Sequence, residues 1–307
     1  MSVRNTRKKS FFHKKDNIRM LALLFPGLAV IGLFTFYPII KMFVMSFFDW
    51  KIGYQQVSQF VGFENYAAVF SDQQAGIAIA NTFYYMLLTV PLQMIIGLLV
   101  ALLINGIRRF SVGFRLFYYL PVITSWVVVA LLFRNIFSNQ GLLNYFLMDV
   151  LHVTNDPIGW LSTRWPALTA TSLLGIWKGI GWNMVIFLAA LQAIPAEYYE
   201  AASIDGLNRR QQFFRITLPN IKGTILFSLV MLIIGAFNTY TPIMVMTGGN
   251  PAHQTEVVLT WLYYQTFSVS GKMGYAAALS FLVTAIISVL AVLLFKVFSP
   301  QKEEKRS

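Results

Sequence analysis

Searched for runs free of Asp, Glu, Lys and Arg, the chain divides into six long apolar stretches separated by shorter polar ones. Residues 20–40, 73–107, 116–133, 223–255 and 273–295 contain none of the four, and 165–196 contains only Lys178. A helix needs about 20 apolar residues to cross a bilayer, and in hydrocarbon it must satisfy its own backbone. The pattern therefore predicts an all-α, polytopic membrane protein with six transmembrane helices, at 20–46, 77–105, 115–136, 167–193, 223–246 and 273–297. One transmembrane domain spans 20–297, between an N-terminal tail (1–19) and a C-terminal tail (298–307). No internal repeat or low-complexity segment suggests a further division.

Composition agrees with this parsing. Of 307 residues, 57% are hydrophobic and 12% charged, where a globular domain has about 25% charged. The 24 Lys and Arg residues outnumber the 12 acidic ones, but they are not scattered. Seven lie in the N-terminal tail (Arg4, Arg7, Lys8, Lys9, Lys14, Lys15, Arg19), three between spans 2 and 3 (Arg108, Arg109, Arg115), four between spans 4 and 5 (Arg209, Arg210, Arg215, Lys222) and four at the C-terminal end (Lys296, Lys302, Lys305, Arg306). The alternate loops hold only Lys51, Arg134, Arg164 and Lys272. By the positive-inside rule both termini are cytoplasmic, and the positive charge calls for no nucleic acid partner. The chain has no cysteine and three isolated histidines (His13, His152, His253), so neither a disulfide framework nor a metal site of the usual spacing is expected.

The segment between spans 4 and 5, EYYEAASIDGLNRRQQFFRITLPNI (197–221), is polar and rich in helix signals. Pro195 suits a first helical position, Glu197 and Glu200 complement the positive end of that helix, and Gly206 can adopt the left-handed conformation that stops it. Asn208 with Gln211 three residues later forms a capping-box pattern, and Pro219 marks the start of the next segment. Two short helices meeting at a turn make a rigid elbow over 194–222. On physical grounds it either lies on the membrane, with Phe213, Phe214 and Ile216 in lipid, or docks on a partner.

Glu200-Ala201-Ala202, three residues, Gly206, nine residues and Ile216-Thr217-Leu218-Pro219 resembles the EAA signature of permeases of bacterial binding-protein-dependent ABC importers. The flanks IWKGIGWNMVIFLAALQAIPAEYYEAASIDG, MTGGNPAHQTEVVLTWLYYQTF and GYAAALS are similar to carbohydrate-uptake permeases of the maltose, multiple-sugar and glycerol-phosphate type, and the likeness runs from about residue 20 to 297. Three departures stand out: Leu207 where Ala is common, Asn250 interrupting a glycine run, and no large external domain. The resemblance implies a type I importer permease in the bacterial inner membrane. It also implies that Glu200, Ala201, Ala202, Asp205, Gly206, Ile216, Leu218 and Pro219 couple the chain to a dimer of ATPase subunits, which hold the ATP and Mg²⁺. A second homologous permease and an extracytoplasmic solute-binding protein complete the implied complex.

A passage through the bundle should show small and polar residues on one helical face. Gly175, Lys178, Gly179, Trp182 and Asn183 share such a face of span 4, and span 5 carries Asn238, Tyr240 and Thr241 before Pro242. Amides and hydroxyls hydrogen-bond sugar hydroxyls, and Trp and Tyr faces cover sugar rings. The alternative for any one of these residues is glue between helices; a buried Lys178 suggests a water-filled cavity or an acidic partner, with snorkelling or bonds to carbonyls as the alternative. The family places substrate contacts on these two spans. By resemblance, Thr247, Gly248, Gly249, Asn250 and Pro251 lie at the mouth facing the binding protein; by composition alone they are a turn.

Other classes fit less well. The chain has no G-x-x-x-x-G-K-[ST] motif, because Thr266 stands where the first glycine before Gly271-Lys272 should be, so ATP hydrolysis falls to a partner. An ion-coupled transporter calls for an intramembrane carboxylate, and the spans have none. A membrane enzyme calls for convergent acid, base or metal groups, which are also missing. A polyol or glycerol-phosphate ester is the nearer alternative cargo, with Lys178 the residue that discriminates, since a phosphate demands positive charge.

Overall fold

The computed structural model describes residues 14–50, 58–107, 109–269 and 271–298. The N-terminal tail up to residue 13, the C-terminal tail from 299 onward, Lys51 and Arg108 lie outside the described residues. In chain order the helices are α1 (Lys14–Ile31), α2 (Tyr37–Met45), α3 (Glu64–Ser71), α4 (Gln73–Asn105), α5 (Ser111–Ile123), α6 (Trp126–Ile136), α7 (Leu142–Tyr145) and α8 (Arg164–Gln192). They continue as α9 (Ala196–Ile204), α10 (Arg209–Gln212), α11 (Leu218–Asn220), α12 (Lys222–Phe237), α13 (Thr241–Met246), α14 (Val258–Tyr264) and α15 (Met273–Phe298). A π-helical turn joins α1 to α2, and a two-residue antiparallel ladder pairs Phe48 with Phe60 and Asp49 with Gln59.

Among the described residues, four helices are each long and apolar enough to cross a membrane: Ala22–Met45, α4, α8 and α15. The third and fifth predicted spans are not single rods. Between α5 and α6 the axis turns by 90°, because Thr124 (ψ 151°) and Ser125 (ψ 133°) are extended just after Pro121, which has no amide hydrogen to donate. Within the predicted 223–246 span, Tyr240 (φ −136°, ψ −62°) leaves the helix and Pro242 occupies an early position of α13. A further 65° bend separates the Arg209–Asn220 segment from α12.

The core lies along α4 and α8, the most extensively packed pair. Toward the elbow, Val100, Ala101 and Ile104 of α4 meet Met184, Phe187, Leu188 and Leu191 of α8, with Ile221 closing the cluster. Toward the opposite end, Tyr85, Met86 and Val90 pack with Ile233 and Phe237 of α12, Trp261 of α14 and Tyr275 and Leu279 of α15. Close approach depends on small residues. A Cβ on Gly97 would sit 3.3 Å from the Met184 backbone nitrogen and 2.5 Å from Asn183 Cβ, so only glycine lets the two rods touch there. By contrast, no residue of the Ala22–Met45 rod is buried.

Candidate functional site

Midway along α8, a cavity of about 530 Å³ opens between α4, the α5–α6 junction, α8 and the α12–α13 break. The glycine face of α8 makes room for it. A Cβ on Gly175 would collide with the Tyr85 hydroxyl, and one on Gly179 with the Gln93 side-chain oxygen. Tyr85 and Gln93 are in turn cavity-lining groups, as are Thr89, Trp126 and Trp182. The helix interruption after Phe237 matters equally, because it turns Asn238, Thr239, Tyr240 and Thr241 toward the same space. Four aromatic rings, two side-chain amides and three threonines thus surround one compartment.

Seven of the eight pathway candidates meet there: Gly175, Lys178, Gly179, Trp182, Asn238, Tyr240 and Thr241. Asn183 does not. Its amide donates to the Gly179 carbonyl (3.0 Å), and its carbonyl oxygen accepts from Ser228 Oγ (2.5 Å) in a fully buried bond that links α8 to α12. Lys178 lines the cavity, yet its ammonium faces the backbone. Nζ donates to the carbonyls of Pro121 (2.6 Å), Val122 (3.2 Å) and Thr124 (2.6 Å), and it lies 4.9 Å from the centre of the Trp126 ring. Of the alternatives left open for this residue, the bond to carbonyls is the one realised. Sequence reading overlooked the contribution of α4, although Tyr85, Thr89 and Gln93 recur every fourth residue and so form a stripe on one helical face.

At the end away from the elbow, Thr247–Pro251 forms a tightly pinned loop. Gly248 and Gly249 have φ of +59° and +82°, the region that favours glycine. Thr255 Oγ1 donates to Thr247 Oγ1 (2.9 Å) and to the Asn250 carbonyl (2.8 Å). Gly249 abuts the carboxylate of Glu256, a site that any Cβ would invade. Glu256 is buried and pairs with His253 Nδ1 at 3.0 Å. Asn81 of α4 donates to the carbonyls of Gln254 (2.8 Å) and Glu256 (2.6 Å) while accepting from Arg164 Nε (2.8 Å). These bonds join the loop, α4 and α8 in one knot.

The elbow is equally well fixed internally. Pro195 precedes α9 as its N-cap residue, Gly206 has φ +78°, and Asn208 and Gln211 exchange backbone and side-chain bonds of 2.9 Å in a capping box. Tyr199 Oη and Thr217 Oγ1 lie 2.9 Å apart, and Gln212 Nε2 donates to Ser203 Oγ (3.0 Å) and to the Leu207 carbonyl (3.1 Å). Ala202 is buried against this framework, whereas Glu200, Ala201, Asp205, Gly206 and Pro219 are exposed and Ile216 and Leu218 half-buried. Ile204, 88% exposed, is the apolar tip. The second short helix begins as α10 at the Asn208 cap and passes through a π-helical turn over Phe213–Thr217 into α11.

Over residues 78–303, a stretch that holds the elbow, the cavity and the pinned loop, the chain matches the family of binding-protein-dependent transport system inner membrane components. The chain belongs to this family. The membrane component is 34% identical over 296 residues to the probable ABC transporter permease protein YesP of Bacillus subtilis (strain 168), with 95% of this chain and 94% of YesP covered. It is 30% identical over 293 residues to the lactose transport system permease protein LacF of Rhizobium radiobacter, covering 94% and 97% of the two chains. Its fold matches a chain of a bacterial alginate ABC transporter crystallised with an alginate pentasaccharide-bound periplasmic protein, at a TM-score of 0.79 and 25% identity over 93% and 95% of the two chains. The type I permease fold and the inner-membrane, multi-pass reading therefore stand for this transport component.

Proposed function

We propose that the protein is one of two permease subunits of an ATP-driven importer for an uncharged saccharide, and that the α4–α8–α12 cavity is its share of the pathway. The chemistry of that cavity carries the reading. Tyr85, Trp126, Trp182 and Tyr240 offer faces for the apolar side of sugar rings, and Gln93, Asn238 and the threonines offer donors and acceptors to hydroxyls. Lys178, the one charged side chain on the described wall, has its donors engaged by backbone carbonyls. A phosphate ester would find no free cation there, which favours a neutral sugar over the glycerol-phosphate class. Among the relatives, LacF is a lactose transport permease and agrees with a neutral cargo, whereas the alginate transporter that shares the fold imports an acidic polysaccharide, so the neutral reading rests on the cavity wall.

In this reading α5 with α6 forms one span and α12 with α13 another, giving six in all, and the basic loops hold both termini and the elbow in the cytoplasm. The elbow over 194–222 presents Glu200, Asp205 and Ile204 to an ATPase dimer that binds ATP and Mg²⁺. Its closure is transmitted through α8 and α12, the helices that flank both elbow and cavity, to alternate access between the two membrane faces. The Thr247–Pro251 loop faces the solute-binding protein at the opposite mouth.

Gentle purification of the tagged chain from native membranes, with partners counted by mass spectrometry, tests the assembly. A second permease and two ATPase copies are expected; recovery of the chain alone would sink the reading. The same complex in proteoliposomes tests cargo with a radiolabelled panel of lactose, maltose and arabinobiose against digalacturonate and glycerol 3-phosphate. Uptake confined to the two anions would refute a neutral sugar.

A further inference from the structure

Lys178 occupies the wall of the cavity, yet nothing in its geometry addresses a cargo. It is 4% exposed. An ammonium has three N–H donors, and three carbonyl oxygens, those of Pro121, Val122 and Thr124, lie within 3.2 Å of Nζ. Thr124 Oγ1, at 3.5 Å, completes the shell and itself donates to the Pro121 carbonyl at 2.6 Å.

These acceptors mark a weak point of the fold. The last carbonyls of a helix have no partner within it and carry the negative end of its dipole. Here α5 stops within an apolar run, the next two residues are extended, and α6 leaves at 90°. In hydrocarbon such carbonyls are costly unless something bonds to them. A cation delivered from a neighbouring helix meets the requirement in both charge and hydrogen-bond number. Three residues on, Gly181 lets α8 touch α5 directly, since a Cβ there would run into the Tyr118 carbonyl. α8 therefore holds the end of α5 twice, by contact at Gly181 and by hydrogen bonds at Lys178. Val122, in the last turn of α5, and Trp126, the first residue of α6, both line the cavity, and the Trp126 ring lies over the same ammonium.

We propose that Lys178 is a positioning residue: by capping α5 at the Thr124–Ser125 break it holds Val122 and Trp126 as a wall of the cavity, and so sets cargo affinity through shape and not through its charge. The claim on affinity rests on the cavity being the cargo site, whereas the claim on the cap does not.

Because the chain contains no cysteine, Ser125→Cys supplies a single reporter in the break. Ser125 is exposed and its side chain caps nothing. In the assembled importer, labelling of this cysteine by N-ethylmaleimide is compared in the Lys178, Lys178→Met and Lys178→Gln backgrounds. Methionine keeps length without donors, and glutamine keeps two N–H donors without charge. Loss of the cap should raise labelling about tenfold in the Met background and raise KM for the best neutral disaccharide of the panel about as much, with kcat little changed. The Gln background should stay within about threefold of the parent in both readouts. Unchanged labelling in both variants overturns the cap. Equal loss of uptake in both, with unchanged labelling, would identify Lys178 as a cargo-binding charge and overturn the proposal. Should the Met variant fail to assemble, Trp126→Leu replaces it: raised KM with parental labelling supports the wall, and an unchanged KM overturns it. Trp182→Ala and Asn238→Ala probe the cavity itself. If they leave KM unchanged while labelling still responds to Lys178, the cargo site and its affinity claim fall, and the cap remains.

Discussion

The elbow and the cavity face of α8 are two polar regions in an apolar chain, and they use their polarity in opposite directions. In the elbow the polar bonds turn inward: Asn208 with Gln211, Tyr199 with Thr217 and Gln212 with Ser203 fix its shape. Glu200, Ala201, Asp205 and the apolar Ile204 are among the residues left exposed. On α8 the side chains of Lys178 and Asn183 bond to neighbouring helices and backbone, and the rings and amides near Lys178 line the cavity. The difference teaches how to sort a polar residue near a site. One whose hydrogen bonds are complete is architecture, and one with an open face is available to a partner or cargo.

Substitutions that separate the two regions follow from this contrast. The largest effect is expected from Gly206→Pro. Its φ of +78° is closed to proline, and its amide, bonded to the Ser203 carbonyl at 3.1 Å, would be lost. Uptake linked to ATP should fall to background; wild-type uptake by this variant would refute the elbow's role. Gly179→Leu drives a side chain into Gln93 and fills the cavity. Uptake should be lost while the ATPase subunits still copurify, and loss of those subunits instead would merge the two regions. Asn238→Ala removes an amide from the wall and should raise KM about tenfold, the scale of about 1.4 kcal/mol, without altering assembly. Asn183→Ala breaks the buried bond to Ser228 and should cost roughly 1–3 kcal/mol, seen as a fall of roughly 2–8 °C in melting temperature with KM unaltered. A KM effect larger than the stability effect would return Asn183 to the pathway.

Much of the elbow was legible because its signals are local. Gly206, Asn208 and Gln211 act within a few residues, and each does what its type and spacing imply. The π-helical turn over Phe213–Thr217 escaped notice because it follows from how Tyr199 and Gln212 pull the two helices together, a tertiary effect. Spans α4, α8 and α15 were legible from length and apolarity alone. The breaks at Thr124–Ser125 and Asn238–Tyr240 were not, since prolines occur in unbroken spans too: Pro91 sits inside the continuous α4. What distinguishes Pro121 is Lys178, 57 residues later in the chain. The α4 stripe of Tyr85, Thr89 and Gln93 was present in the sequence, but its meaning depends on the glycines that face it from α8.

The engaged ammonium of Lys178 has an electrical consequence. With the one charged side chain of the described wall bonded to the backbone, the compartment would lend no mobile charge to the neutral sugar proposed above, and an electric field performs no work on an electroneutral step. Each elementary charge crossing the membrane would be worth about 2.3 kcal/mol per 100 mV. Import through this permease should therefore generate no current, and collapsing the membrane potential with an ionophore should leave accumulation to the ATP supply alone.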